Sequence, residues 1–122
     1  MQSVRFIDSS NRHRPSNTSG LQPIRYSIEG GTVWGLGVAF KSNITFREGR
    51  TVETNFNAYQ IPQMDETPPI EVYIVNSTTK SLGGTGEVGL VTLVPAVANA
   101  LFAATGKRYR SLPLSRYGLK LA

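Results

Sequence analysis

A glycine-rich stretch with one carboxylate is the part of this sequence whose residue types and spacing could do chemistry. It reads GGTGEVG, and it places Glu87 among the glycines at positions 83, 84, 86 and 89. A glutamate held near an apolar pocket can have its pKa raised enough to act as a general base at neutral pH. Glycines let the backbone approach a ligand closely. The plainer interpretation is a solvated loop carboxylate, and the stretch alone leaves both open.

The same glycines also match a dinucleotide-binding pattern. Gly84, Gly86 and Gly89 have the spacing G-x-G-x-x-G, which in such proteins joins a strand directly to a helix. Here LVTLVP is expected to separate the loop from the next helix, and neither a strand nor an acid follows that helix. Glu87 would also repel a pyrophosphate. The context therefore argues against dinucleotide binding.

Other reactive residue types are too sparse for a second site. His13 is the only histidine and lies in an arginine-rich segment, so neither a metal site nor a histidine-based triad is predicted. The chain has no cysteine, which excludes disulfides, thiolate metal sites and iron–sulfur ligation by this chain. Because nothing then points to an oxidising compartment, a cytoplasmic location is the default expectation.

The first element expected to position the loop is a helix over Ile28–Phe40, where Ile28, Val33, Leu36 and Phe40 approximate one helical face. A buried strand is the competing prediction. The four glycines of this segment each cost about 1 kcal/mol relative to alanine in a helix interior. A helix is therefore expected only if close packing against a neighbour offsets that cost.

A hairpin and a strand are expected next. NITFREGRTVETNF alternates apolar and polar residues on both sides of a glycine-containing turn, which is typical of a β-hairpin. The three prolines of Tyr59–Pro69 predict an irregular connection, and the alternation over Ile70–Val75 predicts a strand. An irregular loop, NSTTKSLGGTGEVG, then contains Glu87.

The last predicted element is a second helix. It is predicted because its apolar residues recur on one helical face. Thr92 is expected to cap its start, Pro95 to lie in its first turn and Gly106 to end it. The residues of the face are Val94, Val97, Ala98, Leu101 and Phe102.

The expected fold class is therefore α+β, in a single small domain with the order helix, β-hairpin, strand, loop, helix. Residues 1–25 are expected to be a poorly structured leader, in which SVRFI could form a short strand, and residues 116–122 a basic tail. Residues 26–115 would form the domain. No stretch approaches about 18 apolar residues, so no membrane-spanning segment is predicted, and the N-terminus lacks the apolar region of a signal peptide.

The net charge of +5 lies mainly at the two ends. Residues 1–25 hold four arginines and one aspartate, and residues 106–122 hold five basic residues and no acid. Basic ends suit solvated tails or docking onto an acidic partner. Few aromatics lie among the basic residues, so nucleic acid is the least favoured partner.

Four segments together resemble a known family in their order and spacing. They are IEGGTVWGL, ITFREGRTVETNFNAYQIPQMDETPPIEVYIV, GGTGEVG and VPAVANALFAATGKRYRSLPL. They resemble the C-terminal end of the molybdenum-binding subunit of the xanthine dehydrogenase and aldehyde oxidase family, of the isoquinoline 1-oxidoreductase β-subunit type. The resemblance covers Ile28 to Leu114, and the joined loop and helix motifs are specific.

This resemblance implies a molybdenum hydroxylase, which inserts a water-derived oxygen at an electron-poor carbon of an aldehyde or N-heterocycle. In the family, a molybdopterin cofactor holds the metal and electrons leave through iron–sulfur clusters. The loop glutamate, here Glu87, takes a proton from the attacking oxygen. Gly83, Gly84 and Gly86 would lie near the cofactor. The family subunit is several times longer than this chain, so the isolated chain is expected to hold no cofactor and not to catalyse alone.

Three hypotheses stay open at this point. The chain is a fragment or domain of a molybdenum hydroxylase, active only in a larger assembly with the remainder of the subunit. Alternatively it is a non-catalytic module that forms homo-oligomers through apolar surfaces once buried against that remainder. The third hypothesis is a nucleic-acid binder that uses the basic ends.

Overall fold

The structure, a computed structural model, describes residues 4–11, 22–76 and 86–121. Two helices, a short antiparallel strand pair and a parallel strand pair make up an α+β unit, and the predicted fold class is confirmed. The elements are β1 (Val4–Asn11), α1 (Gln22–Phe40), β2 (Phe46–Arg47), β3 (Arg50–Thr51), β4 (Ile70–Asn76) and α2 (Val88–Thr105), with single 3-10 turns at Met64–Glu66 and Leu114–Tyr117.

Helix α1 forms despite its glycines because α2 packs directly against them. A Cβ atom on Gly31 would lie 3.4 Å from the Cα of Gly89, and one on Gly35 would lie 2.8 Å from Cδ2 of Leu93. The condition set by the sequence, close packing against a neighbour, is therefore met, and the alternative of a buried strand is wrong. The helix begins six residues earlier than predicted, where Arg25 and Glu29 form an i,i+4 ion pair of 3.4 Å.

Helix α2 begins at Val88, and the prediction that Thr92 caps its start is wrong. The LVTLVP stretch is helical, and the Thr92 hydroxyl donates to the Val88 carbonyl at 2.5 Å. Pro95 lies inside the helix, so its predicted place in the first turn is also wrong. The start is shifted because contacts with α1 anchor the first turn, and this packing outweighs the local capping signal. Gly106 ends the helix as predicted, with a φ of 69° and its N–H bonded to the Phe102 carbonyl at 2.8 Å.

The core lies between the two helices and the C-terminal segment. Apolar side chains from the segment after α2 fold back over it, so the last described residues are docked. Arg116 of the expected basic tail donates to Oδ1 of Asn43 at 2.6 Å. The buried cluster is Leu36, Ala39, Phe40, Leu93 and Leu114, flanked by Val94, Val97, Leu101, Tyr109, Leu119 and Leu121.

Strand β4 pairs in parallel with β1, from Val4 opposite Ile70 to Asp8 opposite Ile74. Strand β1 and the start of α1 give regular structure to residues 4–11 and 22–25 of the expected leader. His13 lies outside the described residues. The sequence around β1 does not predict the whole strand, because the strand is stabilised by pairing with β4, which is distant in sequence.

The predicted hairpin is present but short. Strands β2 and β3 have two residues each, and the turn residues Glu48 and Gly49 have φ values of 51° and 77°. Positive φ at both positions is the feature of the two-residue turns that suit the twist of a hairpin. Phe46 remains 73% exposed, so the apolar alternation that predicted longer strands has no described surface to pack against.

Helix α2 bears on the prediction that the chain has no segment long and apolar enough to span a membrane. It has 18 residues with a mean hydropathy of 1.8, and only 11% of it is buried. By length and composition alone it could cross a membrane, so the expectation that no stretch reaches that length was wrong. One face of the helix packs against α1 through Gly89 and Leu93. Val94, Val97 and Leu101 are partly covered by the core cluster, whereas Val91 and four of the alanines are exposed.

Candidate active-site loop at the start of helix α2

Glu87 lies at the junction between the glycine-rich loop and α2. It is the N-cap residue of the helix, with φ −110° and ψ −2°, and its carbonyl accepts the N–H groups of Leu90 and Val91 at 3.0 and 3.1 Å. Its side chain is exposed and makes no capping hydrogen bond. The backbone of Glu87 is therefore fixed by the helix, while its carboxylate points to no capping partner and stays available.

Gly89 fixes where this junction lies. A Cβ atom at Gly89 would come within 2.6 Å of the Ile28 carbonyl oxygen and 2.9 Å of the Thr32 nitrogen. Thr32 is fully buried, and its hydroxyl donates to the same carbonyl at 2.7 Å. Only glycine permits this approach of two helix backbones. Glu87, two residues earlier, is thereby held at a defined point beside α1.

The close contact also bears on the dinucleotide pattern. One objection to it was that LVTLVP separates the glycines from the helix, and the structure shows that stretch to be helical. Gly89, however, lies inside α2 with the backbone of α1 at van der Waals distance. No strand follows α2 in residues 106–121. The third glycine of the pattern therefore serves helix packing. Dinucleotide binding is still disfavoured, because no strand follows α2 in residues 106–121 and Glu87 would repel a pyrophosphate.

The remaining loop glycines differ in what the structure says of them. Gly86 is exposed, and apart from its own chain neighbours no described residue has an atom within 4 Å of the position that a Cβ would take. Gly83 and Gly84 lie outside the described residues. Gly86 and Glu87 are therefore two adjacent exposed residues at the start of α2.

Two other carboxylates have depressed pKa values, and both serve the scaffold. The backbone N–H of Thr45, at 2.7 Å, and then its hydroxyl, at 2.9 Å, donate to Glu53 and lower its pKa. The Lys41 ammonium and the Gln63 N–H donate to Glu66 and lower its pKa. A lowered pKa favours the ionised form. Glu53 joins the two sides of the hairpin, and Glu66 joins the connection before β4 to Lys41 at the end of α1.

Metal ligands are not grouped in the part of the chain that the structure describes: it holds no cluster of three or more histidine, cysteine or acidic side chains. A groove that the sequence did not indicate as a site lies on the other half of α2. Its lining residues are Pro95, Ala98, Asn99, Arg108, Tyr109 and Arg110, and its volume is about 300 Å³. In the sequence, the basic residues of GKRYR were the feature that could have indicated this groove.

Comparison with known proteins gives several relatives that are named as oxidoreductases, dehydrogenases or hydroxylases. The β subunit of isoquinoline 1-oxidoreductase from Brevundimonas diminuta is 34% identical over 91 residues, which is 75% of this chain and 12% of that protein. A probable xanthine dehydrogenase subunit from Bacillus subtilis is 27% identical over 117 residues, covering 93% of this chain and 16% of that protein. No family model matches the chain.

A solved structure shows the same fold. The crystal structure of the Cu,Mo-CO dehydrogenase in its carbon monoxide reduced state aligns with a TM-score of 0.67 at 24% identity, over 84% of this chain and 13% of that one. The chain thus spans less than a fifth of the length of each of these proteins. The agreement in sequence and in fold identifies the chain as a segment of the molybdenum hydroxylase family.

Proposed function

We propose that this chain is the C-terminal part of a molybdenum-binding hydroxylase subunit that supplies the catalytic base, Glu87. The substrate would be an aldehyde or an N-heterocycle, and Gly83, Gly84 and Gly86 would lie beside the cofactor. The observation that supports this most is the placement of Glu87. Its backbone is fixed by the contact of Gly89 with α1, while its carboxylate is exposed and makes no capping bond.

The described residues fit a molybdopterin cofactor as one wall of its site. The open space around Gly86 allows the backbone to approach a ligand closely. Such a cofactor would supply the acceptor for the two electrons that leave the substrate. Glu87 would accept the proton from the attacking oxygen, as a general base.

Catalysis is proposed for the whole subunit, because the chain spans only 12% of the isoquinoline 1-oxidoreductase relative. The remainder would cover the apolar surface of α2 and exclude water from Glu87. A cytoplasmic location remains a prediction. The exposed surface of α2, a helix only 11% buried, also favours a second candidate, a non-catalytic module that forms homo-oligomers. A strictly monomeric sedimentation profile at high concentration would remove that candidate.

The test of the first proposal is Glu87→Gln in the subunit that carries this chain. We expect a loss of activity of about 10²-fold or more, since a positioned general base contributes roughly 10²–10⁴-fold. The molybdenum and pterin contents should stay unchanged. Glu48→Gln, in the exposed hairpin turn, is the matched control and should keep full activity. A Glu87→Gln protein as active as the parent would refute the proposal.

A further inference from the structure

The groove between α2 and the segment after it has the features of an anion site. Pro95, Ala98 and Asn99 come from the middle of α2, and Arg108 and Arg110 from the segment that follows Gly106. Because Gly106 adopts a left-handed conformation, the chain turns back at the end of the helix. The turn brings Arg108 and Arg110 to the same groove as Asn99.

Arg108 is held in place by an aromatic ring and not by an acid. Its Cζ lies 3.6 Å from the centroid of the Phe102 ring. A guanidinium group over a ring face is attracted to the ring, and its N–H donors lie in its own plane. Neither Arg108 nor Arg110 forms an ion pair with any acidic residue of the described ranges. Both arginines that line this groove therefore lack an acidic ion-pair partner among the described residues.

Tyr109 provides the rigid support between the two arginines. Its ring packs against the core cluster and meets the Tyr117 ring edge-on, with centroids 5.0 Å apart. Arg108 and Arg110, on either side of it, are exposed. The anchoring of Tyr109 limits how far its neighbours can move apart, and a site that is already formed loses less entropy when it binds a ligand.

We propose that this groove binds the phosphate group of a small phosphorylated molecule. Two arginines carry a charge of +2, which matches the charge of roughly −1.5 to −2 on a phosphate monoester at neutral pH. Planar guanidinium groups bind phosphate through paired hydrogen bonds, and Asn99 adds a neutral donor. The volume of about 300 Å³ is at the lower end of the range of small-molecule sites. The inference does not depend on the role proposed for Glu87.

Titration of the 122-residue protein with inorganic phosphate, followed by amide NMR shifts, tests the site. We expect saturable shifts confined to residues 98–99 and 108–110, which sodium chloride at equal ionic strength does not produce. Arg110→Gln should weaken phosphate binding about tenfold, as expected for loss of a hydrogen bond to a charged group. Arg108→Lys should also weaken it, because lysine keeps the charge and loses the planar fork. Arg47→Gln, on the hairpin, is the matched control and should bind like the parent.

Three results would overturn the proposal. They are equal shifts with chloride, an Arg110→Gln protein that titrates like the parent, and tighter saturation by acetate than by phosphate. The last result would assign the groove to a carboxylate ligand. Far-UV circular dichroism of each variant shows whether it is folded, and the Arg108→Lys and Arg110→Gln proteins provide two independent measurements.

Discussion

Gly89→Ala is the substitution that tests the helix contact on which the placement of Glu87 depends. The new Cβ would lie 2.6 Å from the Ile28 carbonyl oxygen, 2.9 Å from the Thr32 nitrogen and 3.1 Å from the Gly31 carbonyl carbon. All three are backbone atoms of α1, so no change of rotamer can relieve the clash. The helices must move apart at this point, or one of them must bend.

The size of the effect follows from these distances. Ordinary contact begins at about 3.4 Å, so α1 and α2 would have to separate locally by about 0.8 Å, the difference from 2.6 Å. Overpacking of this kind costs about 1–3 kcal/mol, and the backbone clash favours the upper value. Alanine regains up to about 1 kcal/mol through its higher helix propensity. We expect a net loss of about 2 kcal/mol in the free energy of unfolding.

Urea unfolding followed by far-UV circular dichroism measures this change. Gly30→Ala is the matched control. Gly30 also lies in a helix, but apart from the local backbone of α1 no described residue has an atom within 4 Å of its Cβ position. It should stabilise the protein by up to about 1 kcal/mol through helix propensity alone. The two variants should thus shift the midpoint in opposite directions. If Gly89→Ala is as stable as the parent, the close approach of the helices is wrong.

Two further predictions concern stability. Leu114→Ala removes a side chain that is only 1% exposed in the core cluster, and it should lower the free energy of unfolding by about 2–5 kcal/mol; a loss below about 1 kcal/mol in urea unfolding would contradict that packing. Glu66 has a folded pKa below its ordinary value of 4.5, chiefly because the Lys41 ammonium donates to it. Its stabilising contribution is therefore complete above pH 4.5 and is lost as the pH falls through the lowered folded pKa. Glu66→Gln should remove this part of the acid dependence of the thermal midpoint, and identical pH profiles for variant and parent would refute the assignment.

Local signals in the sequence were enough for several elements. Gly106 as the end of α2 and the strand from Ile70 follow from the left-handed cap and the apolar alternation, which need no information about distant residues. The start of α2 was misplaced because Gly89, which holds its first turn against α1, acts through a contact that no local pattern reveals. Thr92 satisfied a capping rule but was overridden by packing.

The candidate site was also only partly predictable from the sequence. The glycines and Glu87 could be singled out by residue type, but they gave two interpretations, and only the resemblance to a family assigned a role to Glu87. The structure adds that the carboxylate lies at the first turn of a helix with its backbone fixed. Nothing in the sequence showed that Arg108 lies on the Phe102 ring, because the return of the chain after Gly106 sets that contact.

The pairing of β1 with β4 has a consequence for the order of folding. Val4 meets Ile70 in the sheet and Gly31 meets Gly89 between the helices, so the principal contacts join residues roughly 60 positions apart. Contacts between distant residues slow folding, because chain entropy must be lost before they form. Among the described strands only the β2–β3 hairpin pairs locally. During synthesis, β1 and α1 therefore emerge long before their partners, and the N-terminal half gains its lasting structure only when the C-terminal half has been made.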